Sequence, residues 1–218
     1  MNTNDLIQRL GNDLAPVQPL AAPWKRAGVW LACASAYLGA VVLVAWMRGR
    51  LVGSFADSAF VAQQLAVLAL AVTAAIGAYV SIVPGANRRV LGAPMVPGAL
   101  LATTLVWGCV TDAYARGTLG LGRETDWPCV VSLTLGGVAL WALAMMMLRR
   151  GAPLAPRITS LLAGIAALSV ANIEACVSRP HAFSITVLVW HGLTMALLIA
   201  VMMRAGSGLL PWKRLEPR

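Results

Sequence analysis

Long apolar stretches alternate with short polar segments along most of the chain. Each stretch contains 15 to 25 residues and at most one formally charged side chain. A helix needs about 20 predominantly apolar residues to cross the hydrocarbon core of a bilayer. The pattern therefore predicts an all-α integral membrane protein built as a bundle of six transmembrane helices. The predicted spans are 27–47, 59–83, 97–111, 129–148, 158–175 and 183–203.

These spans divide the chain into three parts. Residues 1–26 form a polar segment, residues 27–203 the membrane domain, and residues 204–218 a basic tail. With 59% hydrophobic and 11% charged residues, the composition leaves no room for a second, soluble domain. The first span is too long for the apolar core of a signal peptide and follows 26 residues with three prolines, so we expect it to be a membrane helix.

The distribution of Lys and Arg predicts the orientation. With the N-terminus inside, the cytoplasmic segments hold 12 basic and 3 acidic residues, whereas the outer segments hold 5 of each. Basic residues in short loops favour the cytoplasmic side. Both termini are therefore predicted to be cytoplasmic, and 1–26 and 204–218 to face the cytoplasm. The net charge of +9 is explained by this bias, because it is spread over separate segments; we expect a lipid bilayer as partner and no direct contact with nucleic acid.

The interior of the predicted bundle is nearly free of ionisable groups. Ala163, Ala167 and Ala171 recur at every fourth residue of the fifth span, which favours close helix packing. His191 is the one ionisable side chain deep in a span, and we expect it to be hydrogen-bonded to a neighbouring helix. Ion-coupled transporters need ionisable groups inside the membrane, so a small transporter is a disfavoured alternative.

Two cysteines lie at the predicted outer ends of spans. Cys129 begins the fourth span and Cys176 follows the fifth, with His181 five residues further on. In an oxidising compartment, such a thiol pair beside an imidazole can bind a soft metal transiently or change its redox state. Taken alone, the sequence slightly favours the alternative of two inert cysteines or one permanent disulfide. No permanent cofactor is expected.

Enzyme chemistry has little support in the sequence. There is no Cys-x-x-Cys, no His-Glu-x-x-His and no nucleophile elbow. The predicted cytoplasmic loops are too short for a catalytic domain. We therefore expect a protein that is not an enzyme; the main alternative is a small membrane thiol oxidoreductase that uses Cys129 and Cys176.

The N-terminal segment has the pattern of a short amphipathic helix. Asn4 can cap it and Pro16 can end it. Its polar face has a net charge of −1, whereas helices that lie on membranes favour a basic polar face. A contact in a groove of a partner protein is the better interpretation. The candidate partner-binding residues are Leu6, Ile7, Leu10, Asp13 and Leu14.

Several short motifs resemble one known family. They are the run from Leu10 to Arg26 before the first span, Trp127-Pro128-Cys129 before the fourth, Cys176-Val-Ser-Arg-Pro-His181 after the fifth, and Trp190-His191 in the last. Together they resemble the NrsF-type anti-sigma factors, six-helix proteins of the bacterial inner membrane. The resemblance extends along the whole chain, although each motif is short. Arg179-Pro180-His181 departs from the family, where an acidic residue is expected after the proline.

The resemblance implies a function. The N-terminal segment would hold an extracytoplasmic-function sigma factor at the membrane, away from RNA polymerase. Cys129 and Cys176 correspond to the paired outer cysteines that the family uses in signalling. They would sense a periplasmic metal or oxidant, and the helix bundle would carry that signal to the cytoplasmic side.

Overall fold

The structure is a computed structural model that describes eight segments of the chain. These are residues 3–12, 20–49, 58–85, 87–116, 127–151, 153, 155–177 and 185–210. Within them every regular element is a helix. The helices are α1 (Thr3–Asn12), α2 (Pro23–Met47), α3 (Ser58–Val80), α4 (Arg88–Gly92), α5 (Met95–Arg116), α6 (Trp127–Leu148), α7 (Pro156–Val177) and α8 (Ile185–Leu209).

Six of these helices are long and apolar enough to cross a membrane, which confirms the predicted all-α, six-span architecture. Four helix ends differ from the predicted span limits by more than two residues. Helix α2 begins four residues earlier, at Pro23, and α5 ends five residues later, at Arg116. Helix α3 ends three residues earlier, at Val80, after which the chain turns through Gly85 at φ 78°. The last helix runs six residues past its predicted end, to Leu209, whose carbonyl accepts a hydrogen bond of 3.1 Å from Arg149 Nε.

Helix α7 is the centre of the bundle. Sixteen of its residues are buried, and it packs against α3, α6 and α8, and also against α2. Ala163, Ala167 and Ala171 are all almost fully enclosed, as their spacing predicts. A Cβ on Gly137 of α6 would lie 2.5 Å from Leu168 Cδ2 of α7. Small side chains therefore set how closely these helices approach each other.

Hydrogen bonds between helices fix the register of this packing. The Ser160 hydroxyl of α7 donates to the Met202 carbonyl of α8 at 2.8 Å and accepts from Trp141 Nε1 of α6 at 3.2 Å. On the other side, Trp30 Nε1 of α2 donates to the Leu140 carbonyl of α6 at 3.1 Å. Polar groups in a membrane interior need such partners, because lipid supplies none.

The two ends of the bundle differ in their chemistry. At one end, Arg26 at the start of α2 donates a hydrogen bond to the Met147 carbonyl of α6 and lies 5.5 Å from the ring centroid of Tyr79. Arg149, which bonds to Leu209, lies at the same end. At the opposite end α6 begins and α7 finishes, and the buried cysteines lie there. We call these the arginine end and the thiol end.

Candidate functional site

Helices α6 and α7 bring the two predicted cysteines to the thiol end. Cys129 is the third residue of α6, and Cys176 is the last but one of α7. None of the four cysteines, all of which belong to the described residues, forms a disulfide in the structure. We expected the pair at the outer surface, but the side chains are enclosed by the bundle: 3% of Cys129 and 4% of Cys176 is exposed.

Cys129 is in direct contact with a histidine on another helix. Its Sγ lies 2.9 Å from Nε2 of His191 on α8, a hydrogen bond between residues 62 positions apart in the chain. This contact confirms that His191 is bonded to a neighbouring helix. A thiol beside an imidazole nitrogen can pass its proton to that nitrogen and become the more nucleophilic thiolate.

Cys176 has different surroundings. It lies within electrostatic reach of Cys129 and close to the side-chain amide of Gln64 on α3. The amide does not reach hydrogen-bond geometry, and both of its polar atoms are buried without a partner among the described residues. A buried amide without hydrogen-bond partners costs folding free energy. It can donate to or accept from a polar group that is formed next to it by modification of Cys176.

A second polar pair lies deeper on the same side of the bundle. The Tyr37 hydroxyl of α2 donates a hydrogen bond of 3.3 Å to Oε2 of Glu174 on α7. Only 8% of Glu174 is exposed, so this carboxyl faces the bundle. Glu174 lies two residues before Cys176, and the bond therefore ties α2 to the part of α7 that carries the thiol.

Two tryptophans flank the contact between Cys129 and His191. The rings of Trp127 and Trp190 meet edge to face, with centroids 5.9 Å apart and an angle of 80° between planes. They precede Cys129 by two residues and His191 by one, so they fix the start of α6 against α8. The indole Nε1 of Trp190 is buried and has no hydrogen-bond partner among the described residues.

The predicted metal site at Cys129, Cys176 and His181 stays a prediction. Among the residues that it describes, no three His, Cys, Asp or Glu side chains form a group able to hold a metal ion. The predicted ligand His181 lies outside the described residues. The arrangement around Cys129 and Cys176 is a thiol pair with one imidazole, which suits oxidation and reduction as well as transient binding of a soft cation.

The predicted partner-binding segment does form a helix. In α1 the side chains of Asp5 and Ile7 are exposed, Ile7 by 63%. The side chains of Leu6 and Leu10 lie outside the description although their backbone is helical. Asp13 and Leu14 lie outside the described residues altogether. The helix begins at Thr3, one residue before the predicted cap.

The sequence did not predict that His191 bonds to Cys129, nor that Gln64 lies beside Cys176. Spacing along the chain holds no information on contacts between α3, α6, α7 and α8. The position of each residue along its helix was a usable signal for this contact. Cys129 and His191 both lie within the first two turns of helices that start on the same side of the bundle.

One comparison with known proteins gives a match. The sequence model of a family described as negative regulator of sigma F matches residues 10–212. That range covers all six long helices and ends just beyond α8. Comparisons with curated proteins and with solved structures give no match.

Proposed function

The chain belongs to this family, whose description names a negative regulator of a sigma factor, and from that membership we propose that it is a membrane-bound anti-sigma factor. In this proposal it lies in the bacterial inner membrane with both termini in the cytoplasm. Its N-terminal segment sequesters an extracytoplasmic-function sigma factor. A periplasmic oxidant or soft metal that modifies Cys129 and Cys176 then causes release.

The family match is the observation that carries the proposal, and the geometry of α1 supports its mechanism. The helix exposes an apolar side chain, Ile7, and its backbone includes two further residues of the predicted apolar stripe, Leu6 and Leu10. A helix of ten residues is marginally stable in water and gains order from a partner. An amphipathic helix that packs its apolar face into a groove is a common way to bind a folded protein.

The thiol end supports the sensing part of the proposal. Two buried cysteines lie at this end of the bundle on two helices that pack together, and one of them contacts an imidazole. A disulfide or a shared cation between them would link α6 to α7, the central helix of the bundle. A chemical change at one end can therefore alter packing along the whole length of the membrane domain.

Capture and release of a sigma factor test the proposal directly. The full-length protein, reconstituted in nanodiscs with the N-terminal segment accessible, should retain a purified extracytoplasmic-function sigma factor from the same genome. Addition of a peroxide or a soft metal should elute it, and a dithiol reductant should restore retention after peroxide. Absence of binding to every such sigma factor of that genome would contradict the anti-sigma function. Retention that neither peroxide nor metal changes would contradict the sensing step alone.

A thiol oxidoreductase is the second candidate, because the contact between Cys129 and His191 also suits thiol exchange. Burial of both sulfurs counts against it, since a dithiol substrate has to reach the sulfur that it reduces or oxidises. Catalytic turnover of a dithiol substrate by the reconstituted protein would favour this candidate over the anti-sigma factor.

A further inference from the structure

The two cysteines of the thiol end have unequal surroundings, and we propose that they have unequal roles: Cys129 reacts first with a hydroperoxide, His191 accepts its proton, and Cys176 then closes the disulfide. This inference rests on the proposed sensing function, which it deepens by assigning an order of reaction and a role for His191.

The argument for Cys129 is its contact with the imidazole. Sγ and Nε2 are 2.9 Å apart, which is within the distance for direct proton transfer. A thiol reacts as its thiolate, so a base at this distance raises the rate at which the sulfur attacks. The interlocked rings of Trp127 and Trp190 hold the two helix starts that carry this pair. The contact is therefore fixed in place by packing around it.

The argument for Cys176 is the nature of its neighbour. The polar group beside its thiol is the amide of Gln64, which is neutral and cannot take up the proton. Burial disfavours ionisation of a thiol unless a base receives its proton, and among the described residues no base is hydrogen-bonded to Cys176. Cys176 is thus a poor first nucleophile. It lies on the helix that packs against α6, at the same end of the bundle as Cys129, which is the position that a resolving cysteine needs.

The reaction balances in two steps. First, the proton of the Cys129 thiol passes to His191 Nε2, and the sulfur attacks the hydroperoxide; an S–O bond forms, the O–O bond breaks, and the leaving oxygen takes the proton from His191. Second, the Cys176 thiol attacks Sγ of the Cys129 sulfenic acid; an S–S bond forms, the S–O and S–H bonds break, and the hydroxyl group leaves as water with the proton of the Cys176 thiol. The two thiols lose two electrons in total, and one hydroperoxide is reduced to an alcohol, or to water if it is hydrogen peroxide.

The order of reaction can be measured with hydrogen peroxide on the full-length protein in nanodiscs. Cys33 and Cys109 are replaced by Ser, so that only the pair of interest remains. In that background Cys176→Ser should accumulate a sulfenic acid on Cys129, trapped with a dimedone-type reagent and located by mass spectrometry. Cys129→Ser should form a sulfenic acid on Cys176 at least about tenfold more slowly.

The role of His191 is tested in the same background with both cysteines present. His191→Gln keeps a hydrogen-bond acceptor but cannot take up a proton, and His191→Ala removes both functions. Both variants should slow sulfenic acid formation by about tenfold or more. Closure of a preformed sulfenic acid by Cys176 should keep its rate, because that step does not use the imidazole. Thr194→Ala, one turn further along α8, removes a hydroxyl bonded only to its own helix and should leave both rates unchanged.

Three outcomes overturn the inference. They are a wild-type rate of sulfenic acid formation in His191→Gln, equal slowing of both steps in both His191 variants, and faster oxidation of Cys176 than of Cys129. These results leave the proposed function standing if oxidation still elutes the sigma factor. Conversely, the predicted order of oxidation combined with a sigma factor that stays bound sustains the inference and contradicts the sensing step.

Discussion

The thiol groups of Cys129 and Cys176 are covered by the helices that carry them, so access controls which reagents reach them. With 3% and 4% of their surfaces exposed, they are enclosed by the bundle and do not lie at a wet surface. Small neutral oxidants enter such an environment more readily than large charged thiol reagents. The burial therefore favours peroxides as reactants over the bulky, membrane-impermeant reagents that a surface position would admit.

Replacement of either cysteine by Ser should separate the sensing of an oxidant from the capture of the sigma factor. Ser nearly preserves the volume of the side chain, so the bundle should insert and hold the sigma factor normally. Neither Cys129→Ser nor Cys176→Ser can form the disulfide, so peroxide should no longer release the sigma factor. Cys33→Ser is the matched control, because Cys33 is exposed on α2, and it should respond like the unmodified protein. Normal release in both variants would assign these cysteines to packing alone.

Individual residues also show what the sequence could predict. The spacing of the alanines in α7 predicted the buried face of this helix, because spacing along one helix is local information. For the same reason the sequence could not predict that Gln64 lies beside Cys176 or which residue bonds to His191. Their contacts depend on how three or four helices rotate and tilt against each other, and apolar helices carry almost no amphipathic signal to define that rotation.

Among the helices, α7 and α8 show how small residues allow close packing. Ser160 of α7 occupies the space into which a side chain on Gly206 of α8 would extend. The Ser160 hydroxyl also donates a hydrogen bond to the Met202 carbonyl of α8. Gly208, two residues further on, has open space around it. The span limits were predictable from apolar length, but the extension of α8 beyond residue 203 was not. The extended part packs Gly206 against Ser160 and bonds Leu209 to Arg149, and both are contacts across helices.

These two glycines make a matched pair for a stability measurement. Gly206→Ala places a methyl group against Ser160 and should destabilise the bundle by about 1–3 kcal/mol. Gly208→Ala meets no neighbour and should be neutral or stabilise the helix by about 0.5–1 kcal/mol. Thermal unfolding in detergent, followed by circular dichroism, measures both changes. An equal Tm for the two variants would mean that α8 shifts to accommodate the added methyl group.

Helix α1 gives the prediction for partner binding. Leu10 and Leu14 belong to the predicted apolar stripe that also contains the exposed Ile7. Truncation of a buried Leu to Ala in a groove contact costs about 1–3 kcal/mol, which weakens binding roughly 5- to 150-fold. The double variant Leu10→Ala/Leu14→Ala should therefore free the sigma factor and switch on its genes without any stress, at an unchanged protein level.

Asp5→Ala is the control for that experiment. Asp5 is exposed on the same helix, and a charge at the rim of a contact contributes little. Its loss should leave binding nearly unchanged in a pull-down or by isothermal titration calorimetry. Full capture by the double Leu variant would show that the sigma factor binds elsewhere on the chain.

On the scale of the whole molecule, the separation of charge and thiols predicts its orientation. The arginine end carries Arg26 and Arg149, and the thiol end carries the paired cysteines. Basic residues favour the cytoplasm. A fluorescent protein fused after Arg218 should be fluorescent, and alkaline phosphatase at the same place should be inactive. Phosphatase fused after Glu124, between α5 and α6, should be active. The reverse pattern would place the cysteines in the cytoplasm and exclude a periplasmic signal.

A reaction at the thiol end has to be transmitted to the segment before α2, at the other end of the bundle. Helix α6 connects the two ends of the bundle. Cys129 lies in its first turn, and its Met147 carbonyl accepts a hydrogen bond from Arg26. Arg26 lies in the first turn of α2 and is the last residue of the N-terminal segment 1–26. A shift of α6 on disulfide formation would therefore move the base of that segment.

Arg26 and its neighbour Lys25 allow this coupling to be tested at constant charge. Arg26→Gln removes the bond to α6 and the contact with Tyr79, whereas Lys25→Gln removes the same charge from an exposed side chain. Both variants should capture the sigma factor, because α1 is unchanged. Peroxide should release it normally from Lys25→Gln, but much less from Arg26→Gln, although the disulfide forms to the same extent in both. Equal release would show that the signal reaches the cytoplasm by another helix, and equal loss would show that it depends on the net charge of the segment and not on the contact between α2 and α6.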